Sequence, residues 1–485
     1  MTEKFKLRNK SQNIGLVIGV AVFIIMLFMS PPEGLSLIGY RVLTASVLMI
    51  IFWMTNAIDI AATALLPILL FPLLGITGSK VQNDIDLFGR YAYPTVFLIL
   101  GVGFLASAMT RWGLHKRIAY GITMKVGKNL KLLILGVIIS VAFVSMWMSN
   151  TTAAVMMLPI ALSIINSLSD QIEDGFKKAL LLAIPFASSM GGLATIIGTT
   201  TNPTGVGIIS ETIGVELDFL SWLKIGLPFT LVMIPVTWIY LVKFFKLDNM
   251  KSIEIDTVKQ AYDELGPMNK GEKLTAIIFL ISVMLWVTRT FWQGYVPFAT
   301  DETIAIGIAI ACLIVPVDLK SGTMVLQGKE AFKEAPWTTL ILIGGSMSMG
   351  NAITKSGVAA WIANLMSGLN GMSPLIIIII VGIVTAIATE VATNAVVVAA
   401  FLPVLAGVAE GVGMDPLQLM LTCMIASNFA FMLPAGTPPN AIVFSAGVLD
   451  VKDMMKAGIG LKIIGLIIFP IIMYFITFGL LGVGA

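Results

Sequence analysis

The chain has 485 residues, 57% of them hydrophobic and only 12% charged. Soluble proteins carry about a quarter charged residues, so this composition argues against a soluble enzyme, a disordered hub or a nucleic-acid binder. The net charge of +3 is small, and its placement is more informative than its size.

The opening MTEKFKLRNKSQ carries four cations and leads into a long apolar run. A cleaved signal peptide would need a shorter apolar stretch and a small-residue cleavage site, so residues 14–30 are read as a first membrane span. A spanning helix needs about 20 mostly apolar residues. Further spans are expected near 36–55, 56–75, 93–110, 177–209, 218–245, 273–290, 302–317, 336–353, 416–447 and 457–481. Two more apolar stretches, 131–168 and 373–408, are interrupted by polar residues and read as re-entrant hairpins. The expected fold is an all-α polytopic membrane protein of about eleven transmembrane helices plus two hairpins. The polar segment 247–272, which mixes both charge signs, is expected to be a solvated cytoplasmic linker.

Cytoplasmic segments are rich in Lys and Arg. With the N-terminus inside, 24 of the 30 cations fall on the inner face, including Arg111, Arg117, Lys178, Lys329 and Lys462. The outer face keeps Lys80, Arg90, Arg289 and Lys355, while Arg41 and Lys224 lie near span ends. The C-terminus is then outside, in an integral multi-pass protein of the cell membrane.

The halves on either side of the linker repeat each other. Ser149-Asn150-Thr151-Thr152 is followed by an apolar run ending at Pro159, and Thr393-Asn394-Ala395 by one ending at Pro403. Gly198-Thr199-Thr200-Thr201-Asn202 matches Gly436-Thr437-Pro438-Pro439-Asn440 as G-T-x-x-N. PTVFLILGVGF from Pro94 matches PWTTLILIGGS from Pro336. Each repeat holds an odd number of spans, so the second enters from the opposite face, as in many secondary transporters. The domains are therefore 1–246 (an extra helix and the first repeat), the linker 247–272, and 273–485 (the second repeat).

Ser, Thr and Asn are helix N-cap residues, and caps inside a hydrophobic stretch imply half-helices meeting there. A broken helix in lipid frees backbone groups that cost several kcal/mol each if unpaired, so such breaks line a cavity or are buried in protein. Their N–H groups attract an anion, and freed carbonyls can hold a cation such as sodium. None of the four motifs contains Lys, Arg or His. Charge balance for a bound dianion must come from dipoles, co-bound cations or basic residues elsewhere.

Glu390 is an intramembrane acid, either a proton relay or an acceptor capping the hairpin, with the structural role favoured. Asp59 has no assigned role. His115 reads as a surface histidine on the inner face. Cys312 and Cys423 lie in apolar runs and suggest neither disulfide nor zinc site. No phosphate-loop spacing occurs. An enzyme is not expected, and no cofactor is expected beyond a coupling ion.

These motifs resemble the divalent anion/sodium symporter family of di- and tricarboxylate transporters, whose mark is a paired Ser-Asn-Thr motif at the hairpin tips. The resemblance implies a homodimer of elevator transporters. The moving transport domain would hold about 131–209 and 373–447, and the scaffold most remaining helices. It implies substrate contacts at Asn150, Thr151, Thr199, Thr393, Asn394, Thr437 and Pro438. It implies one sodium site at Ser145, Ser149, Asn150 and Gly198, and another at Thr389, Ala392, Asn394 and Gly436. Ala395 lacks the family's hydroxyl, and Thr200-Thr201 replace its Pro-Pro. The retained Ser-Asn and Thr-Asn pairs favour sodium-coupled symport of C4–C6 di- and tricarboxylates over dicarboxylate exchange. The partners are then small carboxylates and membrane lipid, with no nucleic acid. The alternative is an inorganic-ion or oxyanion antiporter on a related inverted-repeat fold, with Glu390 as its titrating group.

Overall fold

The computed structural model describes residues 8–77, 85–126, 129–168, 172–247, 257–369 and 371–479, and helices dominate it. In chain order these are α1 (Lys10–Phe28), α2 (Leu37–Thr55), α3 (Ile60–Ala64), α4 (Leu66–Leu73), α5 (Pro94–Trp112), α6 (Leu114–Val126) and α7 (Leu130–Ser145). There follow α8 (Asn150–Ser167), α9 (Asp174–Gly192), α10 (Thr201–Ile213), α11 (Phe219–Phe244) and α12 (Thr257–Asp263). The second half holds α13 (Lys270–Trp292), α14 (Asp301–Ile314), α15 (Gly328–Glu334), α16 (Trp337–Lys355) and α17 (Val358–Met366). It ends with α18 (Pro374–Val391), α19 (Asn394–Gly411), α20 (Pro416–Ala426), α21 (Pro438–Phe444) and α22 (Val451–Gly479). One two-stranded hairpin, β1 (Pro316–Asp318) against β2 (Thr323–Met324), pairs antiparallel.

Among the described residues nine helices are long and apolar enough to cross a membrane. Helices fall at each of the eleven expected spans. Three of those spans are divided: 56–75 into α3 and α4, 177–209 into α9 and α10, and 416–447 into α20 and α21. Both interrupted stretches are helix pairs, α7–α8 and α18–α19, broken at the Ser-Asn and Thr-Asn motifs. Lys4, Lys6, Lys80, Lys128 and Lys251, which entered the charge map, and the C-terminal residues 480–485 lie outside the described residues.

The halves interlock. α7 packs on α9 and, equivalently, α18 on α20. Across the repeats α10 packs on α19, and α21 on both α8 and α9. Each half thus inserts its broken helix against the other half's hairpin, which brings all four breaks together. Two glycines permit close approach to the breaks: a Cβ on Gly226 of α11 would collide with the Leu193 carbonyl, and one on Gly458 of α22 with the Phe431 carbonyl. Leu193 and Phe431 stand at equivalent places in the two breaks. Small residues are the usual means by which membrane helices come this close.

Two expectations need correction. His115 is buried, 4% exposed, with Nδ1 3.0 Å from the Met109 carbonyl oxygen. α6 is an amphipathic helix lying against α7, so its histidine faces protein rather than solvent, and burial lowers its pKa. Lys462 is not a surface cation. It is 6% exposed and paired inside the protein. Within 247–272 many described residues are exposed and α12 forms, with the Arg117 guanidinium 5.7 Å from the Tyr262 ring centroid and paired with Glu272.

Gly226→Ala and Gly458→Ala each force helix and break apart. Each is expected to cost about 1–3 kcal/mol, read as a lowered melting temperature of the detergent-solubilised protein.

Candidate functional site

Each hairpin turns at the start of a helix, but only the first start is capped by a side chain: Thr393 stands before α19 with an extended backbone and makes no cap hydrogen bond, contrary to the expectation from its residue type. α7 ends at Ser145, and Ser149 then caps α8 with an extended backbone, its Oγ accepting from the Thr152 N–H at 3.2 Å. Ser145 Oγ lies 2.7 Å from Asn150 Oδ1 and 2.8 Å from the Ser188 carbonyl oxygen. The second hairpin repeats this: Thr389 Oγ1 lies 2.6 Å from Asn394 Oδ1 and 2.7 Å from the Ser427 carbonyl oxygen. A hydroxyl has one hydrogen to give. In each cluster three oxygens therefore share a single proton, an acceptor-rich arrangement suited to a cation. Ser145 and Thr389 are both fully buried. The Asn150 and Asn394 side chains turn their oxygens into these clusters, which leaves their amide N–H groups for the other side.

The breaks between α9 and α10 and between α20 and α21 add carbonyls. A Cβ on Gly198 would stand 2.8 Å from the Ser145 carbonyl oxygen and would collide with that of Gly192. One on Gly192 would collide with Asn150 Oδ1 and stand 3.0 Å from the Gly198 carbonyl oxygen. Oxygens of Ser145, Asn150, Gly192 and Gly198 thus crowd one spot. In the second half a Cβ on Gly436 would stand 3.3 Å from the Leu433 carbonyl oxygen and 3.2 Å from Glu390 Oε2.

The four motifs line one cavity of about 220 Å³. All seven residues expected to contact substrate border it: Asn150, Thr151, Thr199, Thr393, Asn394, Thr437 and Pro438. Ser149 and Gly436 reach it too, whereas Ser145, Gly198, Thr389 and Ala392 are not among its lining. Sequence reasoning missed Thr338 and Thr339 of α16, and Ile60 and Leu342, which close the cavity from the opposite wall. The available signal was the Thr-Thr pair opening α16 within the matched PWTTLILIGGS, polar residues at the mouth of an apolar helix. None of the lining residues carries a charge, so the wall offers hydroxyls, amides and helix N-termini only. A second cavity of about 360 Å³ shares Ser149, Thr199, Thr200 and Thr339 with the first and extends to Thr110 and Glu334.

Glu390 has a structural partner set. Its carboxylate accepts from the backbone N–H groups of Phe431, Met432 and Leu433 at 3.0–3.3 Å and pairs with Lys462 at 2.6 Å. Lys462 also donates to the Ala386 carbonyl oxygen at 2.7 Å. The pair therefore ties α18, α22 and the second break together. Among the described residues the first break has no such ion pair. There the Thr195 hydroxyl bonds the Met146 carbonyl, and Trp222 Nε1 donates to the Leu193 carbonyl oxygen at 3.0 Å. Asp59 also has a local role: its Oδ1 accepts from the Ala61 N–H at 2.8 Å, capping α3.

Breaking a buried ion pair by removing one partner costs about 3–5 kcal/mol, because the other charge is stranded. Glu390→Gln is expected to lower the melting temperature sharply. The double variant Glu390→Gln with Lys462→Gln should recover a large part of the loss, which a thermal-shift comparison of the three proteins reads directly.

The family model for the sodium:sulfate symporter transmembrane region matches residues 10–481. The chain is 34% identical over 496 residues to the sodium-dependent dicarboxylate transporter SdcS of Staphylococcus saprophyticus, covering 99% of this chain and 94% of that one. It is 37% identical over 497 residues, with the same coverage, to SdcS of Staphylococcus aureus. Among solved structures it resembles the YdaH transporter of Alcanivorax borkumensis, with a TM-score of 0.56 at 10% identity over 87% of this chain and 98% of that one. MtrF of Neisseria gonorrhoeae gives a TM-score of 0.55 at 12% identity over 98% and 96%. These two support the fold alone. With its paired hairpin motifs and a match over nearly its whole length, the chain belongs to the sodium:sulfate symporter family of membrane transport proteins.

Proposed function

We propose that this protein carries C4–C6 di- or tricarboxylates across the cell membrane, driven by co-bound sodium. The carrying observation is the duplicated hairpin tip. Two asparagines, Asn150 and Asn394, stand at the starts of α8 and α19, each with an acceptor-rich cluster behind and a cavity without fixed charge in front. A pseudo-symmetric pair of donor sets suits a molecule with a carboxylate at each end. With no cation in the lining, the dianion's charge falls to helix dipoles and to sodium in the Ser145 and Thr389 clusters. Sodium there and substrate in the cavity would share the same asparagine, which couples their binding. The Staphylococcus relatives are named sodium-dependent dicarboxylate transporters, and this supports both halves of the reading. The antiporter alternative loses its titrating group, since Glu390 is occupied by Lys462 and three backbone N–H groups.

Purified protein in liposomes is expected to take up labelled succinate, malate, 2-oxoglutarate or citrate under an inward sodium gradient. Uptake that needs interior carboxylate and ignores sodium would instead establish exchange. No uptake of any carboxylate in either format refutes the assignment. Asn150→Ala and Asn394→Ala are expected to reduce transport at least 100-fold with normal folding, because each removes a substrate donor and a cation acceptor together.

The reading extends to an elevator in a homodimer. The moving unit would comprise about 131–209 and 373–447 with α11 and α22, and the scaffold most of the rest. At the cation-poor end the two units meet through Arg289–Asp218 at 2.7 Å, Arg90–Glu211 at 2.8 Å and a Tyr93–Ser210 hydroxyl pair at 2.7 Å. The second cavity leads from the site towards the cation-rich end. This arrangement corresponds to an inward-facing protein with its N-terminus in the cytoplasm. Both native cysteines are buried, so single reporter cysteines can be read against a quiet background. A membrane-impermeant maleimide should label Thr110→Cys only in inside-out vesicles and Gln293→Cys only in right-side-out ones. The opposite pattern would invert the orientation.

A further inference from the structure

Asn202 and Asn440 are the last residues of the two G-T-x-x-N motifs and stand on the first turns of α10 and α21. They are 0% and 1% exposed, and neither lines the central cavity. Asn202 Nδ2 donates to the carbonyl oxygens of Gly192 at 3.0 Å and Thr195 at 2.8 Å. Asn440 Nδ2 donates to those of Ala430 at 3.0 Å and Leu433 at 2.9 Å. The separations are ten and seven residues in both halves. The backbone N–H of each asparagine donates to a threonine hydroxyl three residues earlier, Thr199 at 3.1 Å and Thr437 at 3.4 Å. Asn202 thus ties the end of α9, the middle of the break and the start of α10, while Asn440 ties two points within the second break to the start of α21.

The amide orientation is dictated by its neighbours, because turning it over would place Oδ1 against two carbonyl oxygens. In that orientation Oδ1 of both Asn202 and Asn440 is buried with no hydrogen-bond partner among the described residues. Leaving a buried acceptor unpaired costs about 1–3 kcal/mol. The same cost at equivalent places in two repeats calls for a reason in what each clamp holds. In the first half the clamped Gly192 carbonyl is one of the oxygens crowded with those of Ser145, Asn150 and Gly198. In the second half the clamped Leu433 carbonyl stands beside Gly436. In the first half the clamp therefore fixes a carbonyl of the acceptor-rich cluster itself; in the second it fixes the backbone beside Gly436, the counterpart of Gly198, whose N–H donates to the same Leu433 carbonyl at 3.1 Å.

We propose that Asn202 and Asn440 are positioning residues for the two sodium pockets: each amide group sets the spacing of the pocket's carbonyls, and through it the sodium affinity, without touching the carboxylate. The proposal rests on the sodium-coupled reading above. An asparagine can do this where Ser or Asp cannot, since only its NH₂ group supplies two donors to two carbonyls at once. The effect should separate cleanly in kinetics. Loosened pockets raise the sodium concentration needed for half-maximal transport, while carboxylate KM at saturating sodium stays near its original value, because the cavity wall is unchanged.

The test is sodium-dependent uptake in liposomes for the original protein, Asn202→Asp and Asn440→Asp, with Asn202→Ser and Asn440→Ser as milder variants should the Asp forms fail to fold. Sodium-induced thermal stabilisation, measured against choline, gives a second readout in detergent. The expected result is a tenfold or greater rise in half-saturating sodium, carboxylate KM within twofold, and weakened stabilisation by sodium. Reduced maximal rate or protein yield with unshifted sodium half-saturation and undiminished stabilisation would overturn the positioning role and leave a purely structural one. An original protein indifferent to sodium in both assays would overturn the coupling reading itself, and the positioning role with it.

Discussion

The structure depends on one constraint: backbone polar groups freed by breaking a helix inside an apolar protein must be satisfied there. Four breaks are made, and neighbouring side chains support them. Ser149 and Thr437 cap the helices that follow them. Glu390 accepts three consecutive N–H groups in the second break. Asn202 and Asn440 hold carbonyls on the opposite side of the chain. What remains unsatisfied is mostly oxygen, gathered behind two amide side chains that face a cavity without charge.

Under the proposed function, that surplus of oxygen would let the site take an anion without a lysine or arginine. A fixed cation in the wall would bind the anion whether or not sodium was present. A site whose positive charge arrives only with sodium makes anion binding conditional, and symport needs that condition. The asymmetry between the halves is structural rather than chemical. The second break is supported by a buried ion pair and the first by Thr195 and Trp222, yet the hydroxyl–asparagine–carbonyl cluster is the same in both.

Much of this was legible in the sequence because periodicity, composition and repetition are local properties. The apolar runs, the polar interruptions and the duplicated G-T-x-x-N and Asn-to-Pro spacings needed only the order of residues. All seven expected substrate contacts border one cavity because the repeat carried them there as a set. Lys462 was misread because its stretch of chain looks like a cationic membrane edge, and only its distant partner Glu390 explains its burial. Thr338 and Thr339 were missed because their role depends on which wall α16 faces.

The sequence by itself determined where the helices break and that the breaks come in pairs, since caps and glycines act through neighbouring backbone. Only the tertiary structure decided what surrounds each break. Packing α10 on α19 and α21 on α8 brings together residues more than 180 positions apart. The 12% of charged residues that first marked this as a membrane protein are therefore kept out of the central cavity. They hold the surfaces and helix seams, while uncharged oxygen and nitrogen make the site.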